Sequence, residues 1–476
     1  MGMQCCTSEG VSVMIKKLQV FVVMISIVVG FSPLPAQWIH AGAASGGLTE
    51  SPGGFSGTSS VSYDVARWLG SRSAAVSYTF DDNCPNQLAI AVPMFDQFGF
   101  KLTLFTVTSS SWGWAANWTG LQSAASEGHE IASHTIDHQS LGGMTDAQQQ
   151  TELQLSRDSI NAHIRGQACL TFAYPNCVTG NSTLVGSFYI AARGCSGQIV
   201  STTPGDFMNI SSFVCGNQGL NTSDAMESQA NSAATTNGWC VYLIHGINGT
   251  EPGAYSPISQ DIILATLEYF SVNADKFWVA PFGTVARYVQ ERNAAYVTET
   301  SANADSINAH VGDRVDNVYT RVPLTIRRPL PSGWDSVVVR QGVYILSSRK
   351  VKVDTATYVM FDAIPNGEDV TIINETGNRV GVRNEPSPPN TFGLFQNYPN
   401  PFNPATVISF QLASFSHITL GVYDLLGREV ALISREALPA GKYTRSWKAD
   451  QTPSGVYFYR LRAGSLVQTK KLMLMK

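Results

Sequence analysis

Two adjacent carboxylates close the segment Ala75-Val-Ser-Tyr-Thr-Phe-Asp-Asp-Asn83. Small, β-branched and aromatic residues run up to Phe80, and Asn83-Cys84-Pro85 then signals a turn. The pattern predicts a strand that ends on Asp81 and Asp82. Successive strand residues face opposite ways, but at a strand's end the backbone can turn both acids toward one cavity. A turn cap is the plainer use of such acids. Downstream, Glu130-Ile-Ala-Ser-His-Thr-Ile-Asp-His138 sets His134 and His138 four apart. On one helical turn their imidazoles would share a face. Neutral imidazole is the commonest side-chain metal ligand. Two His and one carboxylate leave room for water, as in catalytic zinc sites. Phe172-Ala-Tyr-Pro175 and Leu243-Ile-His-Gly246 complete a set that a lone His pair would not make.

Alternating strand and helix signals position these residues. Strands are expected over 76–80, 101–107, 169–174, 189–193, 239–245 and 277–280, and a helix over 88–98. Thr145-Asp-Ala-Gln148 reads as a capping box, with Leu153, Ile160 and Ile164 behind it at helical steps. Repeated β–α alternation argues for a parallel sheet or barrel, whose chemistry gathers at the C-terminal strand ends. Asp81, His134, Tyr174 and His245 each fall at or just after such an end. Trp112, Trp114 and Trp118 lie in a polar loop after the second strand. They either stack on sugar rings or pack over the barrel mouth.

Thr79-Phe-Asp-Asp82, His134-Thr-Ile-Asp-His138, Phe172-Ala-Tyr-Pro175 and Leu243-Ile-His245 resemble, in order, motifs of the NodB-homology polysaccharide deacetylases, carbohydrate esterase family 4. The resemblance covers roughly residues 71–292 and implies a distorted (β/α) barrel. It implies Asp81 as general base and Asp82, His134 and His138 as ligands of a divalent metal. It also implies the Tyr174 backbone N–H toward the oxyanion and His245 as general acid. Pro175 joins Trp112, Trp114 and Trp118 as candidate substrate contacts. Zinc suits such a ligand set, with cobalt, nickel and manganese as alternatives. Three features depart from the family pattern. Asn83 stands where a Gly is usual, the Arg that pairs with the base is missing beside Thr171 and Phe172, and no Asp–Trp motif is recognisable. Arg193, in Ala191-Ala-Arg-Gly194, is the candidate substitute for that Arg. The expected reaction is hydrolysis of N-acetyl or O-acetyl groups on a polysaccharide or oligosaccharide, chitin-like, peptidoglycan or acetylated xylan. The rival expectation is a surface glycan-binding protein with an inactive barrel.

A chain of 476 residues is long enough for several domains. A net charge of −4 provides no basic face for nucleic acid, and suits a neutral or weakly charged glycan. Lys16-Lys17, an apolar run over 18–31 and Pro33-Leu-Pro-Ala-Gln37 predict a signal peptide over 1–36, cleaved after Ala36. No later stretch is expected to span a bilayer. A flexible lead-in is expected over 37–70, the deacetylase-like barrel over 71–296, a small β-sandwich over 297–384 and a proline-rich linker over 385–393. The polar segment 296–308 reads as a connector. Beyond the linker, Asn397-Tyr-Pro-Asn-Pro-Phe-Asn-Pro404, Gly427-Arg428 and the basic tail resemble the C-terminal sorting domain of the type IX (Por) secretion system, over 394–476. That resemblance implies passage through the periplasm of a Gram-negative bacterium to the outside or the cell surface, with the secretion machinery as partner. The expected class is therefore a distorted (β/α) barrel followed by two small all-β sandwiches. Of 8 Cys, Cys84, Cys169, Cys177, Cys195, Cys215 and Cys240 fall in the barrel, and their even number in an exported protein suggests disulfides.

Overall fold

In the computed structural model, the described residues are 38–40, 62–248 except 112, 253–315, 322–376 and 392–475, less positions 414, 426, 439, 450–451 and 465. The expected signal peptide, residues 385–391 of the proline-rich linker and Trp112 lie outside them. Two short strands come first, β1 (Trp38–His40) and β2 (Asp64–Ala66). The barrel strands follow: β3 (Ala74–Asp81), β4 (Thr103–Thr106), β5 (Glu130–Ser133), β6 (Thr171–Ala173), β7 (Ala191–Arg193), β8 (Phe213–Val214), β9 (Trp239–Ile244) and β10 (Phe277–Val279). They form one all-parallel sheet in the order β7-β6-β5-β4-β3-β9-β8, with β10 beside the first half of β3. A parallel bridge between Arg193 and Ile210 links β7 to the segment ahead of β8, which draws the two ends of the sheet together.

Every residue of β3 is buried. Tyr78 and Phe80 face outward into the apolar layer, where Phe95 packs edge-on against both rings. Helices α1 (Val92–Gln97), α2 (Trp118–Ser126), α3 (Asp146–His163), α4 (Ser182–Gly186), α5 (Ser223–Thr236), α6 (Gln260–Val272) and α7 (Phe282–Ala294) intersperse with the strands. α3 starts on the expected capping box, Thr145 with Gln148. The residues before α1, Gln87–Ala91, form a turn of wider π-type helix.

Inside the barrel a carboxyl group stands in for hydrocarbon. Glu130 of β5 accepts from Thr103 Oγ1 at 2.7 Å, Thr171 Oγ1 at 2.6 Å and the Gly283 N–H at 2.8 Å. It thus joins three strands to the first turn of α7, where peptide dipoles favour an acid. Burial pushes its pKa up, and these three hydrogen bonds pull it back.

The lead-in is not free chain where it is described. β2 pairs with Leu324–Pro329, so β1 and β2 extend one five-stranded sheet of the middle sandwich. Residues 296–308 are likewise not a connector: Tyr296–Ala302 and Ser306–Gly312 form a hairpin in the second five-stranded sheet. The backbone carbonyls of Ala66 and Arg67 accept from Tyr288 and Arg292 of α7, at 2.8 and 2.6 Å. The C-terminal region is a sandwich of a three- and a four-stranded antiparallel sheet, Gly393–Leu474. Among the described residues no helix is long and apolar enough to cross a membrane.

A Cβ at Gly283 would collide with Glu130 Oε1. Gly283→Ala is expected to destabilise the barrel by about 1–3 kcal/mol through overpacking. Urea unfolding followed by tryptophan fluorescence checks this.

Candidate active site

Asp81 ends β3, and the chain then leaves the ladder through two left-handed residues, Asp82 at φ 73° and Asn83 at φ 59°. This turn rotates Asp82 toward the cavity that Asp81 already faces. Left-handed backbone costs about 1–2 kcal/mol per residue for most side chains, and Asn tolerates it better than most. The usual Gly is therefore replaced by the next most suitable residue. The Asn83 amide holds the turn by donating to Val107 O at 2.8 Å and Trp114 O at 3.0 Å.

His134 and His138 do not share a helical turn. They flank a tight turn after β5 in which Thr135 and His138 are left-handed, at φ 67° and 63°. Glu152 of α3 anchors this turn by accepting the Ile136 N–H at 2.9 Å. The ring centroids still lie only 5.0 Å apart. His134 Nδ1 donates to Ala173 O at 2.8 Å, which leaves Nε2 as a lone-pair donor. That Nε2 lies 3.5 Å from Asp82 Oδ1, and His138 Nε2 lies 3.2 Å from the same oxygen. Donor atoms around a tetrahedral ion with bonds near 2.05 Å are separated by about 3.3 Å. Asp82, His134 and His138 thus have the chemistry and the spacing for one divalent cation, and His134 has the tautomer for it.

Charge points the same way. Burial lowers the His134 pKa to about 3, despite Asp81 nearby, so its imidazole is neutral. Burial and the adjacent Asp81 raise Asp82 to about 7. Asp81 behaves oppositely. Burial would raise it, but Arg193 together with the neighbouring imidazoles brings it below the usual carboxylate value. Arg193, the last residue of β7, donates from Nη2 to Asp81 Oδ2 at 2.6 Å and reaches Thr79 Oγ1 with Nη1 at 3.4 Å. Its guanidinium lies over the Phe105 ring, and only 1% of the residue is exposed. A disulfide between Cys177 and Cys195 joins the loops after β6 and β7. Cys84, Cys169, Cys215 and Cys240 are buried thiols.

His245, just past β9, closes the site, with Nε2 3.9 Å from Asp82 Oδ2. Burial lowers its pKa to about 4. The Tyr174 N–H does not face this space. It donates to Arg193 O at 3.1 Å, because the β6–β7 ladder continues one residue past Ala173. The Tyr174 hydroxyl is likewise engaged, on Met208 O at 2.8 Å. Pro175 is buried at the start of the next turn. Trp118 stacks on His163 at 4.1 Å and belongs to helix packing. Trp114 lines a cavity of about 550 Å³ with Asn83, Gln87, Leu88, Thr106 and Asn117, beside the ligand set rather than over it. A second acid–His cluster, Asp96 with Glu127 and His129, is already supplied with cations by Lys101 and Arg462. Glu152 and Gln87 were not identified from sequence. Neither sits in a motif: Glu152 reads as an ordinary helix residue, and Gln87 falls between the turn at 83–85 and the helix expected over 88–98.

Replacing Arg193 by Met leaves Asp81 as an unpaired buried acid. The expected loss is about 3–5 kcal/mol of stability, measured by chemical denaturation, with Arg193→Lys losing less.

Comparison with known proteins bears on both ends of the chain. Residues 70–185 match the family model "Polysaccharide deacetylase", and residues 396–475 match "Secretion system C-terminal sorting domain". A gellan lyase from a Bacillus species is 27% identical over 346 residues, which cover 67% of this chain and 14% of the lyase. The YxkH protein of Bacillus subtilis is 33% identical over 102 residues, 21% of this chain and 36% of YxkH. The chain thus spans well under half the length of either relative. A family 4 acetyl xylan esterase from Clostridium thermocellum, solved with cobalt, aligns at 19% identity and a TM-score of 0.30, over 44% of this chain and 89% of the esterase.

Proposed function

From a chain that carries a polysaccharide deacetylase domain and a secretion-system C-terminal sorting domain, we infer an exported, metal-dependent hydrolase of acetyl groups on a polysaccharide. The observation that carries this reading is the convergence of Asp82, His134 and His138 on one point beside the Asp81–Arg193 pair. Asp82, His134 and His138 would hold a divalent ion, zinc by ligand preference and otherwise cobalt, nickel or manganese, which when bound would supply a water of lowered pKa and polarise the acetyl carbonyl.

The chain's own groups handle the protons. Arg193 keeps Asp81 ionised, so its carboxylate can accept the proton of an attacking water at neutral pH. His245 borders the same space, with Nε2 3.9 Å from Asp82 Oδ2, and is placed to protonate the leaving nitrogen or oxygen. Its low pKa makes the imidazolium a strong donor once it is charged. The products balance as acetate and a free amine or hydroxyl on the sugar. The donor that steadies the oxyanion is not the Tyr174 N–H, which is committed to the sheet. An N-acetylglucosamine polymer makes the protein an amidase, and acetylated xylan makes it an esterase.

The sorting domain supports secretion through the type IX machinery of a Gram-negative bacterium, by way of the periplasm, to the outside or the cell surface. A second reading, a surface glycan-binding protein with an inert barrel, draws on the committed Tyr174 N–H.

Acetate release from chitin oligomers, peptidoglycan and acetylxylan, with metal analysis of the same samples, separates these readings. Asp82→Ala and His134→Ala are expected to lose bound metal and activity together. Asp81→Asn is expected to keep its metal and lose about 100-fold or more in kcat. Treatment with a chelator should abolish turnover, and zinc should restore it. Wild-type protein that binds glycan and metal but releases no acetate from any of the three substrates would establish the second reading.

A further inference from the structure

The acid and the base proposed above sit on neighbouring strands. Phe80 and Ile244 are the last registered pair between β3 and β9. Asp81 and His245 follow immediately, where the strands part, so nothing in the ladder sets the distance between them. Gln87 bridges that gap. Its Nε2 donates to the backbone carbonyl of Asp81 at 2.5 Å and to that of His245 at 3.1 Å. The two hydrogens of one amide nitrogen thus serve two buried carbonyls, each on a residue of the proposed proton-transfer pair. The side chain has no slack, because Gln87 is only 2% exposed. It arises from the wide π-type turn over Gln87–Ala91, a rare form that recurs at functional sites.

We propose that Gln87 is a positioning residue that fixes the spacing and orientation of Asp81 relative to His245. The proposal rests on the deacetylase reading for the identity of the two groups it positions, but its structural half stands apart from it. Gln87 forms part of the wall of the cavity beside the ligand set, but both hydrogens of its amide nitrogen are spent on backbone carbonyls. It acts through the two strand ends, and a displacement of about 1 Å at such a point costs on the order of 100-fold in rate. It also differs from a general stabiliser of the barrel. Both of its bonds fall on the residues meant to move protons, and neither falls on Asp82, His134 or His138.

The test uses the full chain as Gln87→Leu, which removes both donors, and as Gln87→Glu, which keeps the shape but sets an acceptor against two carbonyls. Four readouts are taken on each: melting temperature, bound metal, kcat and KM on the best acetylated oligosaccharide, and a crystal structure. The expected result is a fall in kcat of about 10- to 100-fold with KM within about twofold and full metal occupancy. The Glu variant should be the worse of the two, and the gap between the Asp81 and His245 carbonyls should be widened or filled by water. A folded Gln87→Leu with wild-type kcat and unmoved strand ends would overturn the proposal. Loss of metal in step with kcat would also overturn it, by making Gln87 a support for the ligands instead. If Gln87→Leu does not fold, the isosteric Glu variant decides on the same readouts. If the wild type releases no acetate, the deacetylase reading fails by itself, and the crystallographic comparison still decides whether Gln87 sets the gap.

Discussion

Two carboxylates side by side in a buried pocket repel each other, and the site is built around relieving that repulsion. At an effective dielectric near 20, like charges 4 Å apart cost about 4 kcal/mol. The chain answers asymmetrically. Asp81 receives a full positive charge from Arg193 at 2.6 Å and stays ionised. Asp82 lies beside two imidazoles, and burial together with the adjacent Asp81 takes its pKa up to about 7. One acid is therefore held ionised and its neighbour is left closer to neutral. The contrast between two residues adjacent in sequence thus follows from where the Arg193 guanidinium lies.

Delivering that arrangement takes unusual backbone. Asp82, Asn83, Thr135, His138, Asn176 and Cys177 all have positive φ, and all lie in the loops at the C-terminal ends of β3, β5 and β6. Thr135 is β-branched, for which such a φ is a true outlier. Each of these loops is tied down from outside itself. The Asn83 amide reaches the loop after β4, Glu152 of α3 caps the turn between the two His, and the Cys177–Cys195 bridge spans the loops after β6 and β7. Conformations that are costly locally persist when neighbours over-determine them.

These facts divide what could be read in the sequence from what could not. The grouping of Asp82, His134 and His138 was legible because side-chain type and spacing carry the information, and a spacing of four serves a tight turn as well as a helix. That is why the two His converge although their predicted helical turn is absent. Arg193 entered only as the candidate substitute for a missing motif Arg, and its pairing with Asp81 depends on β7 and β3 facing one interior. The fate of the Tyr174 N–H was not legible, since it depends on whether a parallel ladder runs one residue further. Nor was the packing of Trp118, which stacks on a residue 45 positions away (163 − 118). Gln87 and Glu152 have ordinary identities in helical surroundings, and their roles emerge only when distant strand ends and turns are brought to them. The pairing of β2 with Leu324–Pro329 is invisible for the same reason: three residues carry no pattern that names a partner some 260 positions on.

That last pairing bears on how the domains depend on one another. The chain enters and leaves the barrel through the same sandwich, so both ends of the barrel are fixed to one body. Trp68, Trp278 and Tyr288 share a continuous apolar cluster with Val65, Ile326 and Phe361, which makes barrel and sandwich a single core rather than two. The C-terminal sandwich has a separate core around Ile408, Phe410 and Tyr459. Its contacts with the barrel include Arg462 on Glu127 and Arg435 on the Arg165 carbonyl, polar links with exposure to solvent. Partly exposed pairs of this kind are worth about 1 kcal/mol or less each. They join the barrel at α2 and at the loop beyond α3, not at the strand ends that carry Asp81 and His245. The middle sandwich is thus part of what keeps the site in shape. The C-terminal sandwich meets that body through Tyr344, whose ring packs 5.4 Å from Tyr443, and through polar links to the barrel, all of them away from the strand ends that carry Asp81 and His245.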